Sequence, residues 1–81
     1  MGQEDWRDRI VVDPAIHHGE PCIQGTRVPV SVIVASIAAG DPIPEILAAY
    51  PSLTEEDVRA ALRFAADAVS YADFLPLKAG P

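Results

Sequence analysis

The chain has 81 residues, of which 49% are apolar and 22% are charged, and its formal net charge is −6. A chain of this length forms one small domain with a thin core, and its negative charge argues against non-specific binding to nucleic acid. The single cysteine excludes an internal disulfide and, without a signal peptide or a membrane-length apolar run, favours a cytoplasmic protein.

The N-terminal part of the sequence predicts a short β element. Residues 1–8 are mostly polar and are expected to be flexible. The segment RIVVD reads as a strand that ends at Asp13 and Pro14, since proline cannot donate to a strand ladder. PCIQGTRV reads as strand, turn and strand, with the tight turn at Gln24 and Gly25. The β element therefore covers residues 9–28.

Two helices are predicted next, each from apolar residues at helical spacing. The first follows Pro29 and ends before Gly40, a favourable residue just after a helix. Its predicted buried stripe consists of Val30, Ile33, Val34, Ile37 and Ala38. The second ends at Pro51, and its start is left open, because Asp41 can cap it while Pro42 and Pro44 both lie in or before its first turn. Its predicted buried face consists of Ile43, Ile46, Leu47 and Tyr50.

The third helix has the clearest start. Thr54 and Asp57 have the spacing of a capping box, and Leu53 and Val58 occupy the positions of a hydrophobic staple. Its predicted buried stripe consists of Val58, Ala61, Leu62, Ala65 and Val69. The sequence thus predicts a mainly α fold, a three-helix helix-turn-helix-like bundle with a short N-terminal β-hairpin element. Residues 9–70 form the domain, and residues 71–81 form an apolar C-terminal tail.

Neither a metal site nor a catalytic site is predicted. His17, His18 and Cys22, with Asp13 as a fourth candidate, lack the spacing of zinc ligands. Cys22 has no evident general base, and we expect it to be a small buried side chain. The chain also lacks a glycine-rich phosphate loop and room for a pocket. We therefore expect a protein that is not an enzyme and has no cofactor or small-molecule substrate.

The residues Gly25, Thr26 and Arg27 have expected structural roles. Gly25 supplies a positive φ, and Thr26 bonds the local backbone. Arg27 has two possible roles that the sequence leaves open. It pairs with Asp13 and clamps the N-terminal segments together, or it projects into a partner.

The pattern from RIVVDP through GEPCIQGTRVPV to EILAAYPSLTEEDV resembles the bacterial domain-of-unknown-function 433 family over residues 9 to about 69. The resemblance implies a homeodomain-like helix-turn-helix protein, usually dimeric. Many such proteins look like VapB-type antitoxins, which bind and neutralise a PIN-like ribonuclease toxin and also repress their own operon. The sequence departs from the family pattern at Glu20, often lysine, at Ala35, often acidic, and at Pro42, often serine.

On this resemblance we expect an antitoxin-like partner of a PIN-like ribonuclease, which acts through apolar surface and a few charges. The expected partner-binding residues are Arg27, Val32, Ala35, Ser36, Tyr71, Phe74 and Leu75. In such a complex Arg27 would reach the metal-binding carboxylates of the ribonuclease. The alternatives are a DNA-binding regulator that contacts operator DNA through Arg59 and Arg63 and a homodimer module with neither role. Glu55 and Glu56 oppose DNA binding by repelling phosphate.

Overall fold

The computed structural model of the chain describes residues 5–71, apart from the side chain of Tyr71. Two 3-10 helices, at Trp6–Arg9 and His17–Gly19, accompany two strands and three α-helices. The strands are β1 (Ile10–Val11) and β2 (Cys22–Ile23), and the helices are α1 (Val30–Ala38), α2 (Ile43–Ala49) and α3 (Glu55–Tyr71). This architecture confirms the predicted mainly α fold with a short antiparallel β element near the N-terminus.

The β element is built around β2. β1 pairs with it antiparallel, with Ile10 opposite Ile23, and a single bridge on the other side joins Cys22 to Pro29. The backbone N–H of Thr26 donates to the carbonyl of Ile23 across 3.0 Å and closes the turn between them. This pairing ties residues 9–11 to the segment that leads into α1.

Residues 5–8, which the sequence assigns to a flexible N-terminus, lie against α3. The carboxylate of Asp5 accepts a 2.9 Å hydrogen bond from the N–H of Arg7 and caps the first 3-10 helix. The ring of Trp6 meets that of Phe64 edge-on, with 6.5 Å between centroids. The apolar side chain of Trp6 explains the difference, because it has a ring on α3 to pack against.

The core lies between α1 and α3 and is closed at one end by α2. Its buried members are Ile23, Val30, Ile33, Ile46, Leu53, Val58 and Ala61. Two predicted core positions differ from this arrangement. Ala38 is exposed in the last turn of α1, and Val69 is 52% exposed. Both residues have the spacing of the buried positions on their helix. Each lies near a helix end, past the part of the helix that packs against the core.

Proline and glycine fix the ends of the first two helices. Pro29 and Pro42 are the N-cap residues of α1 and α2, where a missing N–H costs nothing. After α1, Gly40 takes a φ of 93°, and its N–H donates to the carbonyl of Ile37. The N–H of Asp41 donates to the carbonyl of Ser36 at 3.0 Å, which completes a Schellman motif. Asp41 is therefore part of the end of α1, and α2 starts after Pro42.

Candidate protein interface

The outer face of α1 carries no charged residue of the helix itself, although its first turn contacts the carboxylate of Glu20, which accepts from the hydroxyl of Ser31 at 2.6 Å. Ala35 lies at its centre and is exposed, and the chain has no charged residue between Arg27 and Asp41. Of the other two predicted contact residues on this helix, Val32 and Ser36 are half-buried. A surface helix normally presents charged or polar side chains to water on this side. The small uncharged face of α1 is therefore suited to close contact with another protein.

Arg27 is exposed just before α1, but it does not pair with Asp13 in the structure of residues 5–71. The carboxylate of Asp13 accepts from the N–H of Ala15 at 2.9 Å, so it bonds its own turn. The backbone carbonyl of Arg27 accepts from Nε2 of His17 at 2.9 Å. The predicted clamp is therefore wrong, because a local turn satisfies the aspartate. The guanidinium of Arg27 is left facing solvent.

The turn before α1 has the geometry that its residue types favour. Gly25 has a φ of 81°, a left-handed conformation that other residues resist. The hydroxyl of Thr26 donates to the carbonyl of Ile23 at 2.9 Å and accepts from the N–H of Val28 at 3.1 Å. These bonds fix the backbone on both sides of Arg27, where the chain passes from the β element to α1.

A buried carboxylate holds the start of α3. The N–H of Asp57 donates to Oγ1 of Thr54, and the N–H of Thr54 donates to Oδ2 of Asp57, the two bonds of a capping box. The other carboxylate oxygen of Asp57 accepts from the guanidinium of Arg9 at 2.9 Å. Asp57 is only 7% exposed. This ion pair, and not one with Arg27, joins the N-terminal segment to the helices.

The contacts of Arg9 and Trp6 with α3 were not predicted from the sequence. A lone tryptophan in a polar stretch is a signal for packing, because an aromatic ring gains much from burial. Arg9 offered no such signal, since its partner Asp57 lies 48 residues away.

The two arginines proposed to contact DNA lie on the exposed face of α3. Nη2 of Arg59 donates to Glu55 at 2.9 Å, an i, i+4 ion pair on the helix surface. Arg63 is exposed one turn further and, among residues 5–71, forms no ion pair. Glu56 is exposed on the first turn beside them. This face therefore presents charges of both signs, and the charge of Arg63, after the larger effects of Arg7, helps to lower the pKa of Asp5.

An open apolar groove of about 400 Å³ runs between the first 3-10 helix and the C-terminal half of α3. Its lining consists of Trp6, Arg7, Ile10, Val12, Phe64, Asp67 and Ala68. Val12 is 58% exposed, a large fraction for an aliphatic side chain. The groove is thus a second apolar surface, distinct from the outer face of α1.

The candidate metal ligands do not come together. No group of three His, Cys, Asp or Glu side chains within residues 5–71 is arranged to hold a metal ion. His17 and His18 have φ values of 50° and 58°, uncommon for residues with a side chain. Cys22 is 1% exposed, and its thiol donates to the carbonyl of Glu20. Burial, with a smaller effect of the Glu20 charge, raises the pKa of this thiol.

Three predicted partner contacts are not part of this geometry. Phe74 and Leu75 lie outside the described residues, as does the side chain of Tyr71. Within the described range, no helix combines the length and apolar character needed to cross a bilayer.

Comparison with known proteins places these features in a family. The family model described as "Protein of unknown function (DUF433)" matches residues 10–65. The uncharacterized protein y4eO of Sinorhizobium fredii is 42% identical over 59 residues, which are 73% of this chain and 27% of that protein. A crystal structure of a DUF433 member from Anabaena variabilis has a TM-score of 0.73 and 36% identity, covering 79% of this chain and 63% of that one. The chain thus spans about a quarter of the first relative and under two thirds of the second.

Proposed function

The chain belongs to the DUF433 family, and we propose that it is an antitoxin-like component of a bacterial type II toxin–antitoxin system. In this role it binds a PIN-like ribonuclease and neutralises it, without catalysing a reaction and without a cofactor. The uncharged outer face of α1 is the observation that carries the proposal. A cytoplasmic location suits it, since Cys22 is a free thiol.

The outer face of α1 supports protein binding because the burial of exposed apolar surface against a partner is favourable. Ala35 and its neighbours have short side chains, so a partner backbone can approach closely and little side-chain entropy is lost. The exposed guanidinium of Arg27 lies at the N-terminal end of the same helix. It provides a donor for carboxylates of the partner, such as those that hold the metal of a PIN-like ribonuclease.

The overall charge supports the same class of partner. A ribonuclease binds a polyanion and therefore needs a cationic surface around its active site. The chain has a formal net charge of −6, so long-range attraction brings the two proteins together. Apart from Arg27 the proposed contact on α1 is uncharged, so the net charge of the chain acts mainly on the rate of encounter.

The experiment is coexpression of the tagged protein with the product of the neighbouring reading frame, followed by copurification and a ribonuclease assay. The wild-type protein is expected to copurify and to silence the ribonuclease. Ala35→Glu places a charge at the centre of the α1 face and is expected to abolish both. Ser52→Glu adds the same charge at an exposed turn between α2 and α3 and is expected to change neither. If the folded ribonuclease elutes alone and stays active, the proposal fails.

A second candidate function is DNA-binding regulation, and exposed Arg63 beside Arg59 on the second helix of the helix-turn-helix favours it. Binding to operator DNA through these arginines would weaken steeply with salt. The charge reversal Arg59→Glu with Arg63→Glu would abolish it and leave ribonuclease binding intact. Fluorescence anisotropy with the promoter fragment at several salt concentrations measures this directly. Binding that the double variant retains would exclude α3 as the contact.

A further inference from the structure

We propose that the ADFLPL segment, residues 72–77 of the C-terminal tail, docks on the groove between the Trp6–Arg9 3-10 helix and the C-terminal half of α3. The segment then covers the seam between the N-terminal part of the chain and α3. The inference goes beyond the proposed function and does not depend on it, because neither the ribonuclease nor the outer face of α1 is involved. It gives Phe74 and Leu75 a contact within the chain.

The floor of the groove is apolar and open. Val12 is 58% exposed, and the half-buried rings of Trp6 and Phe64 meet edge-on beneath the groove. Ile10 and Ala68 complete the floor. The floor thus combines side chains from the N-terminal segment with side chains of α3. Covering them with an apolar segment removes apolar surface from water and is favourable.

The size of the groove favours a segment of the same chain over a separate protein. Seven of the described residues line it, whereas a standard interface between two proteins takes about 20–30 residues of each partner. A tethered segment needs less contact, because a short connection holds it beside its site at an effective concentration on the order of mM. A small apolar groove is therefore occupied more readily from within the chain than from solution.

The ADFLPL segment follows α3 directly, and α3 ends beside the groove. Phe64 and Ala68, which line the groove, lie seven and three residues before the last position of the helix at Tyr71. The helical period places position 71 on the same face as these two residues. The rise of the helix separates them from its end by about 10.5 Å and 4.5 Å, and six extended residues span roughly 20 Å. The segment can therefore reverse direction and still reach along the groove.

The composition of the segment suits an apolar groove. Phe74, Leu75 and Leu77 are large apolar residues, and an aromatic side chain can pack against the rings on the floor. Pro76 fixes its own φ, which lowers the conformational entropy that the segment loses on docking. The docking needs no new ion pair, because the charges on the rims, Arg7 and Asp67, already pair with each other at 3.7 Å. Apolar contact alone therefore selects the segment.

The first test uses the fluorescence of Trp6, the only tryptophan of the chain, which lines the groove. The whole 81-residue chain is compared with the double variant Phe74→Ser/Leu75→Ser. The variant is expected to shift the emission of Trp6 to longer wavelength and to increase its quenching by acrylamide. Lys78→Ser/Ala79→Ser, a matched change outside the segment, is expected to alter neither signal. Equal signals for the two double variants would overturn the inference.

The second test changes the groove and observes the tail. Lys78 is the only lysine of the chain, so endoproteinase Lys-C cuts only after it, and the rate follows the population in which the segment is released. Val12→Asp places a charge in the groove and is expected to speed the cleavage by roughly tenfold. Val69→Asp is the matched control, a similarly exposed valine that does not line the groove, and is expected to leave the rate unchanged. Equal rates for the two variants would contradict docking at this groove.

Dilution identifies the occupant of the groove. Docking within one chain predicts that the quenching of Trp6 and the rate of cleavage stay constant as the protein concentration is varied. Values that change with concentration would mean that another molecule covers the groove, and they would overturn the inference. Far-UV circular dichroism verifies that each variant is folded, and the first test decides the question even if Val12→Asp does not fold. The proposed function is tested by Ala35→Glu, so the two failures are distinguishable.

Discussion

Replacement of Asp57 by alanine is expected to remove about a third of the stability of the domain. The carboxylate makes two hydrogen bonds: Oδ2 accepts from the N–H of Thr54 and closes the capping box, and Oδ1 accepts from the guanidinium of Arg9. A neutral side chain without oxygen removes both acceptors. We expect the free energy of unfolding to fall, with the helices still formed in the folded fraction.

The magnitude follows from the two interactions. Loss of a helix cap costs about 1 kcal/mol. Removing one partner of a fully buried ion pair costs about 3–5 kcal/mol, but the side chain of Arg9 is 26% exposed, and solvation by water offsets about half of this. The expected total is about 2.5–3.5 kcal/mol. A domain of this size has a free energy of unfolding of about 4–12 kcal/mol.

The measurement is urea unfolding followed by the fluorescence of Trp6 and by circular dichroism. With a slope of about 1 kcal/mol per M, the midpoint is expected to fall by roughly 2.5–3.5 M. Thr54→Ala removes half of the capping box and is expected to cost about 1 kcal/mol, whereas Thr54→Ser keeps the hydroxyl and costs less. Glu56→Ala is the matched control, an exposed acid in the same turn. A loss for Asp57→Ala no larger than that for Glu56→Ala would refute the reasoning.

Three further predictions concern the core, the turn and the thiol. Ile33 is fully buried, so Ile33→Ala is expected to cost about 3 kcal/mol in urea unfolding; a cost under 1 kcal/mol would contradict its place in the core. A Cβ at Gly25 would meet no atom within 4 Å, so Gly25→Ala is expected to cost only the roughly 1–2 kcal/mol of the left-handed backbone, and Gly25→Asn less. Because burial raises the pKa of the Cys22 thiol, it is expected to react slowly with Ellman's reagent until the protein unfolds. The raised pKa also predicts a stabilising contribution at neutral pH that is lost as the pH rises through the folded-state value, and Cys22→Ala should remove that alkaline loss.

Local sequence signals predicted the helices because their causes lie within a few residues. The capping box at Thr54 needs only the residue three positions later, and Gly40 ends α1 through bonds to Ile37. The turn at Gly25 depends on its own φ. In each case the residue type and its spacing are the physical cause of the structure, so they are visible in the sequence.

Contacts between distant segments were not predictable in this way. Two carboxylates, Asp13 and Asp57, were equally available to pair with an arginine of the β element. The choice between them depends on how β1 lies against α3, which no local pattern specifies. The exposure of Val69 has a similar cause, since the helical period does not indicate where the core beneath the helix ends. The helical period placed Val32, Ala35 and Ser36 outside the buried stripe of α1, but only Ala35 is exposed, because the exposure of a side chain also depends on the segments that pack beside the helix.

Titration of the ribonuclease with the purified chain tests the central claim most directly. The ribonuclease rate is measured against increasing ratios of wild-type protein, of Ala35→Glu and of the Arg59→Glu/Arg63→Glu double variant. Binding through α1 predicts complete inhibition at a fixed stoichiometry by the wild-type protein and the double variant, and no inhibition by Ala35→Glu. A rate that stays unchanged at saturating wild-type protein, or that falls equally with Ala35→Glu, would contradict the account.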